Sequence, residues 1–248
     1  MFNPLEVNLI EKKLIVTINF NTMDLSKNRL TREWIDYRID LFIKYTYFSL
    51  VNQTYQDFLA LIYYDINSQD LVLNALSNYP KLASNIIFRP MNSTIGFEQI
   101  CEDDFVKESI FGYDYLYLVP FDSDNLMHPE YLQKIIDFET KPDTQCIINR
   151  NVYIYDISTN TMLSFTTPDY HCGLYALIYD VNSYINGLRY KYADHGSVVH
   201  LTHEYLLHEY VMVLIHGTNI LNSLSAYQGI PKTPEDLKAK ALKDFNLI

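Results

Sequence analysis

Four short apolar runs, alternating with stretches of helical periodicity, constrain this chain more than any other feature. They are LIVTINF (14–20), FLALIYYDI (58–66), NIIFRP (85–90) and YLYLVPF (115–121). Runs of this length, rich in β-branched and aromatic residues and bounded by polar segments, read as buried strands. Between the first two, TREWIDYRIDLFIKYTYFSLVNQ (31–53) repeats apolar residues every three or four positions from Trp34 to Leu50, as a helix with one apolar face does. SQDLVLNALSNY (68–79) reads as a helix with Ser68 as N-cap and Pro80 as its stop. FEQICEDDFVKE (97–108) and HPEYLQKIIDF (128–138) continue the alternation, the second with Pro129 in its first turn. Strand–helix alternation of this kind predicts a mostly parallel sheet covered by helices.

The second half is less regular. QCIINRNVYIYDI (145–157) and TMLSFTT (161–167), joined by STN, predict a β-hairpin and hence a mixed sheet. LYALIYDVNSYI (174–185) fits a strand or a helix equally. HLTHEYLLHEYVMVLIH (200–216) is helical in its first part and strand-like at YVMVLIH. TPEDLKAKALKDF (233–245) predicts a last helix, with Thr233 as N-cap, Pro234 at the first helical position and acids in the first turn. No repeat, low-complexity tract or Pro/Gly/Ser linker divides the chain. The expectation is a single α/β domain over residues 1–248.

Composition excludes several functions. With 48% hydrophobic residues over 248 positions the chain can bury a substantial core. A net charge of −11 and a pI near 5.0 argue against nucleic acid as partner, because such surfaces are basic. The three cysteines, Cys101, Cys146 and Cys172, are far apart and form no CxxC pair. Disulfides and thiolate zinc are therefore not expected, and a reducing compartment is. MFNPLEVNLIEKK lacks the basic-then-apolar order of a signal peptide, and no apolar run reaches the roughly 18 residues of a membrane span. The expected location is cytoplasmic and soluble, which is compatible with peripheral membrane contact.

The chemistry-bearing feature is FDSDN (121–125), where the fourth apolar run ends in two aspartates. With 19 aspartates, chance alone supplies roughly one or two DxD pairs, so the pattern is uninformative without its position. In open α/β sheets ligands bind beyond the carboxyl ends of the strands, and Asp122 and Asp124 sit at such an end. Two carboxylates there suit Mg²⁺ or Mn²⁺ with a diphosphate as co-ligand. The alternative is a solvated turn in which Asp122 caps local amides. Phosphatases that use DxDG[TV] need a glycine where Asn125 stands, and nucleotidyltransferases want a Gly-Ser turn upstream that is missing here. Arg89, closing the third run before Pro90, is a candidate phosphate contact or plain loop chemistry.

Five of seven histidines fall between His195 and His216. HEYLLH (203–208) resembles the zinc-binding HExxH but is one residue too long, so His203 and His208 would not share a helix face. On a helix, His200, Glu204 and His208 would share one, as a zinc site or as a polar face.

Three stretches resemble GT-A glycosyltransferases, in particular bacterial families assigned as rhamnosyltransferases. VTINFN (16–21) is similar to the family's opening strand followed by Asn. RIDLFIKYTYFSLVNQTYQDFLALIYYD (38–65) is similar to its helix, Ser-x-x-x-Gln turn and strand ending in Asp. FDSDN followed by a helix is the third, and IHGTNILN (215–222) resembles the family's late His-Gly-x-Asn. One position departs: Asn19 stands near where an arginine is expected.

The resemblance implies a GT-A-like (Rossmann-like) fold and a metal-dependent transfer of a sugar from a nucleotide diphosphate sugar to a carbohydrate or glycoconjugate acceptor. The donor half would be about 1–127 and the acceptor half about 128–248. Asp124 would ligate Mn²⁺ or Mg²⁺, Asp122 would bind ribose or share the metal, and His216 would approach the metal or diphosphate. Asn21, Asp65 and Arg89 would join Asp122 around the nucleotide. An inverting enzyme needs a base for the acceptor hydroxyl. Asp194, His195 and Glu204 are candidates, with Glu204 favoured because His200 and His208 flank it one helical turn away. A non-catalytic carbohydrate- or partner-binding relative, or a zinc hydrolase using the His-rich segment, are the competing readings.

Overall fold

The computed structural model describes residues 10–23, 26–92, 104–167, 174–192, 195–217, 219 and 223–248. The apolar runs form the strands expected of them. β1 (Lys12–Asn19), β2 (Phe58–Asp65), β3 (Ile86–Met91) and β4 (Tyr115–Asp122) run parallel, with β1 between β2 and β4. Three more strands extend the sheet beyond β4: β6 (Cys146–Asn149), β9 (Tyr175–Asp180) and β10 (His203–Leu206). The order across the seven strands is β10-β6-β9-β4-β1-β2-β3, and β9 alone runs against the others. A smaller sheet, β5-β11-β7-β8, comprises β5 (Leu126–Met127), β7 (Asn151–Asp156), β8 (Thr161–Thr166) and β11 (Val211–Ile215). The architecture is thus mixed α/β, with a mostly parallel sheet flanked by helices.

The pleat of β1 explains why both faces are covered. Leu14, Val16 and Ile18 turn to one side and pack with Ile35, Ile39 and Phe42. Ile15 turns to the other and packs with Leu61, Leu118, Val106, Ile110 and Tyr184. The first side is covered by α1, which runs as Arg32–Leu41, a π-helical stretch Phe42–Tyr47 and a last turn Phe48–Val51. Thr31 caps it by accepting from the Trp34 amide. The remaining helices are α2 (Gln69–Leu76), α3 (Asp104–Ser109), α4 (Tyr131–Ile136), α5 (Val181–Ile185) and α6 (Glu235–Asp244). No helix among the described residues is long and apolar enough to cross a membrane.

Several expectations need correction. The run 145–157 is not one hairpin arm. It breaks at Arg150, giving β6 to the large sheet and β7 to the small one, and only β7 forms the hairpin with β8. Residues 174–185 are both alternatives in succession, β9 and then α5, because the Asp180 carboxylate accepts from the Ser183 amide and starts a helix. The helix expected in the first part of 200–216 does not form: β10 pairs with β6, and β11 follows. Ser68 precedes α2 without capping it, its hydroxyl instead donating to the Asp65 carbonyl at 2.7 Å. Thr233 does not cap α6, whose N-cap position is taken by Pro234, and its hydroxyl has no hydrogen-bond partner among the described residues. Residues 97–103 lie outside the described residues, and α3 starts at Asp104.

Candidate functional site

The site is assembled where β4 ends. Asp122 is the last residue of the strand, paired in register with Asn19 of β1, and the chain then turns through Ser123, Asp124 and Asn125 into β5. Asn125 is buried and uses both ends of its side-chain amide and its carbonyl to hold this turn. Its Nδ2 donates to Asp122 Oδ2 at 2.9 Å, its Oδ1 accepts from the Leu214 amide of β11 at 3.0 Å, and its carbonyl accepts from Thr46 Oγ1 at 2.8 Å. The turn is therefore stapled between the smaller sheet and the π-helical stretch of α1. Inserted π turns recur at functional positions, and here one presents Thr46 to the turn.

Two side chains from remote parts of the chain meet Asp124. Arg38 Nη1 donates to its Oδ2 at 2.7 Å while Arg38 Nη2 donates to Ser123 Oγ at 2.6 Å. His216 Nε2 lies 3.1 Å from the same Oδ2. His216 is set by the end of β11, where Gly217 turns the chain at φ 80°. Asn219 locks that turn, accepting from the His216 amide at 2.7 Å and donating to the Leu214 carbonyl at 2.8 Å. Tyr37 Oη stands 3.4 Å from His216 Nδ1. The late His-Gly-x-Asn stretch thus folds onto the DxD turn.

The two aspartates differ in electrostatics. Burial favours the neutral acid at Asp124, but the bond to His216 and the charge and bonds of Arg38 outweigh it and hold the carboxyl below its ordinary value. Asp122 meets solvent at the strand end but is ringed by protein atoms. That crowding and the Asp124 carboxylate push it up to about 6, against the smaller pull of Arg38 and Asn125. Every hydrogen bond that the described residues make to the two carboxylates falls on an Oδ2 atom, so Oδ1 of each carries no hydrogen bond from them. This donor set fits a hard divalent cation that completes its shell with phosphate oxygens and water. A closed protein cage is not formed: no group of three or more His, Cys, Asp or Glu among the described residues is arranged to hold a metal.

A second network stands at the end of β2, two strands from Asp122 and thus about 10 Å across the sheet. Asp65 is fully buried, its Oδ2 bonded to Arg29 and its Oδ1 accepting from both nitrogens of Asn67. Burial raises the Asp65 carboxyl, and the bonds from Arg29 and Asn67 more than offset this, so it is held low. Asn21 joins the same network, accepting from the Asp65 amide at 2.8 Å and donating to Ser68 Oγ at 3.1 Å. Arg89 is on β3, paired in register with Tyr63 of β2, and its guanidinium lies 4.4 Å from the centre of the Phe105 ring.

Of the candidate bases, Glu204 is not gathered here. Glu204 sits on β10 and not on a helix face with His200 and His208, so the reason for favouring it is removed. β10 is three strands from β4, about 14 Å across the sheet. Its carboxylate accepts from Thr144 Oγ1 at 2.6 Å and from the Lys141 amide at 2.8 Å, and these bonds hold it below its ordinary value. It braces the loop before β6. His195 opens a short 3₁₀ turn, His195–His200, and Asp194 lies outside the described residues. The residues that the sequence reading missed are Arg38, Arg29, Ser123 and Asn125. Of these, Arg38 carried a signal, as an arginine one position from Ile39 on the apolar stripe of α1.

No family model matches the chain, and neither does any curated protein. Among solved structures the chain is similar to 4-diphosphocytidyl-2C-methyl-D-erythritol synthase from Anaerococcus prevotii, with 14% identity over 94% of this chain and 96% of that one and a TM-score of 0.38. It is similar to TarS of S. aureus, with 11% identity over 94% of this chain and 70% of that one and a TM-score of 0.46. It is also similar to the glycosyltransferase GlyE of Streptococcus pneumoniae, with 9% identity over 93% of this chain and 60% of that one and a TM-score of 0.41. At such identities and scores the fold follows from the strand order of this chain and not from these likenesses.

Proposed function

We propose that the chain is a glycosyltransferase that moves a sugar from a nucleotide diphosphate sugar to a hydroxyl acceptor, in polysaccharide or glycoconjugate assembly. The supporting observation is the carboxylate pair Asp122 and Asp124 at the carboxyl edge of parallel strands, each with an Oδ1 that carries no hydrogen bond from the described residues and with His216 against Asp124. In this reading Asp122 and Asp124 hold Mn²⁺ or Mg²⁺ beside the diphosphate, and His216 fixes the Asp124 carboxylate. A divalent cation there supplies Lewis-acid stabilisation of the departing diphosphate. Asp65 and Asn21 act on the nucleoside end through Arg29, whose side chain is 11% exposed while that of Asp65 is wholly covered. Arg89, on β3 beside β2, is kept as a candidate contact for the donor. The acceptor half is residues 128–248, and Asp194 and His195 are the candidate bases, Glu204 being occupied as a brace.

The test is calorimetric titration with UDP, GDP and dTDP, with and without Mn²⁺. Binding of at least one nucleotide, tightened by Mn²⁺ and lost in Asp124→Ala, is the expected result. Absence of binding to all three, or binding indifferent both to Mn²⁺ and to Asp124→Ala, rejects it. Glycan binding without either would point instead to a non-catalytic carbohydrate-binding protein.

A further inference from the structure

We infer that Arg38 is a built-in counter-ion that keeps the Asp122/Asp124 pair from taking up a free divalent cation, so that the cation enters only as its complex with a nucleotide diphosphate. This rests on the reading of the pair as a cation site and adds to it an order of binding and a residue that sets it.

Arg38 is held in place, not passing by. Its Nη1 bonds Asp124 at 2.7 Å, its Nη2 bonds Ser123 Oγ at 2.6 Å, and its guanidinium lies 5.6 Å from the Trp34 ring centre. Both ends of the ion pair are largely covered, with side chains 12% and 14% exposed. The two carboxylates bring two negative charges and Arg38 removes one, so a bare cation meets a site of net charge close to −1. It also finds no third carboxylate, thiolate or imidazole completing a cage among the described residues. Even with the screening of bulk water, a unit positive charge a few ångströms from a divalent ion lowers its affinity by roughly tenfold or more.

A diphosphate reverses the balance. It brings its own negative charge and oxygen ligands to the Oδ1 side, while Arg38 stays on the Oδ2 side of Asp124. The Nε of Arg38 is buried and finds no hydrogen-bond partner among the described residues, a donor that an incoming phosphate oxygen can satisfy after a small rotation of the guanidinium. Arg38 is thus a positioning residue for Asp124 and a determinant of the form in which the metal arrives.

The experiment is titration of the full chain with Mn²⁺ alone at pH 7.5, followed through the electron paramagnetic resonance signal of free Mn²⁺. Wild type, Arg38→Met, Arg38→Lys and Asp124→Asn are compared. The wild type is expected to bind bare Mn²⁺ weakly, Arg38→Met at least tenfold more tightly, Arg38→Lys close to wild type, and Asp124→Asn more weakly still. A chain in which Arg38→Met binds Mn²⁺ no more tightly than wild type overturns the inference, as does a wild type that holds Mn²⁺ as tightly without nucleotide as with it. If Arg38→Met does not fold, Arg38→Gln decides: it removes the charge while keeping a hydrogen-bond donor, so it should tighten bare Mn²⁺, and an unchanged affinity overturns the inference. Nucleotide titration of the same samples separates the two readings. Failure of every nucleotide to bind rejects the proposed transferase, whereas Mn²⁺ affinity that ignores Arg38 in a chain that binds nucleotide rejects only the counter-ion.

Discussion

At the scale of single residues, the site is defined by two like-charged side chains whose surroundings drive them apart. Asp124 is held ionised by His216 and Arg38, while crowding and the Asp124 charge push Asp122 up to about 6. A carboxyl raised by folding makes the folded state bind a proton more tightly than the unfolded one, whose carboxyl titrates near 3.9. Below about pH 4 both states carry that proton and nothing is lost. As the pH rises through about 6 the folded chain must ionise Asp122 at a cost, and above that the cost is fully present. Asp122→Asn removes the charge while keeping an acceptor for Asn125. It should therefore be more stable than wild type at pH 7, with the advantage fading below pH 4. Urea midpoints at the two pH values check this, and a variant equally or less stable at pH 7 contradicts it. The DxD pair was legible in the sequence because strand-end position is a local property. Its counter-ion was not, because Arg38 lies 86 positions away and only tertiary packing brings it to Asp124.

At the scale of elements, the Ser-x-x-x-Gln stretch that resembled a family motif proves to be a clamp. Gln53 is buried after the last turn of α1 and bonds three backbone groups. Its Nε2 donates to the Ser49 and His128 carbonyls at 3.0 and 2.9 Å, and its Oε1 accepts from the Leu132 amide at 3.0 Å. It thereby ties the end of α1 to the segment that leaves the DxD turn and enters α4. Gln53→Ala would strand a buried amide and two carbonyls, costing about 1–3 kcal/mol. A urea unfolding series should show the midpoint fall with the slope unchanged, and a loss well under 1 kcal/mol would mean that water replaces the clamp. The helix expected around Glu204 failed for the opposite reason. HEYL satisfies helical and strand spacing alike over so short a stretch, and the exposed edge of β6 decided between them by offering four residues of parallel pairing. The break at Arg150 was equally hidden, since both halves of 145–157 are apolar enough to be strands and neither says which sheet it joins.

At the scale of the whole molecule, the order β10-β6-β9-β4-β1-β2-β3 sets a gradient of protection from centre to edges. β1 is paired along its length by β4 and from Leu14 onward by β2 as well, and Leu14, Ile15, Val16 and Ile18 are fully buried on its two faces. Opening its amides requires the large sheet to come apart, so they should exchange hydrogen only through global unfolding. β10 is different. It is four residues long, pairs with β6 alone, and keeps His203, Glu204 and Tyr205 partly exposed. Its amides should exchange by local fraying, orders of magnitude faster than those of β1. The functional consequence follows from where the site stands. Asp122 is paired in register with Asn19 at the end of the best-protected strand, and the turn that carries Asp124 is tied to β11 and α1. The turn that carries Asp122 and Asp124 is thus built on the stiff centre, whereas Glu204 is on the loosest edge. Hydrogen exchange read by mass spectrometry on peptides spanning 12–19, 115–127 and 203–206 tests the gradient directly. The first two should stay protected to the global limit, the third should not, and equal protection of all three would place β10 within the same cooperative unit.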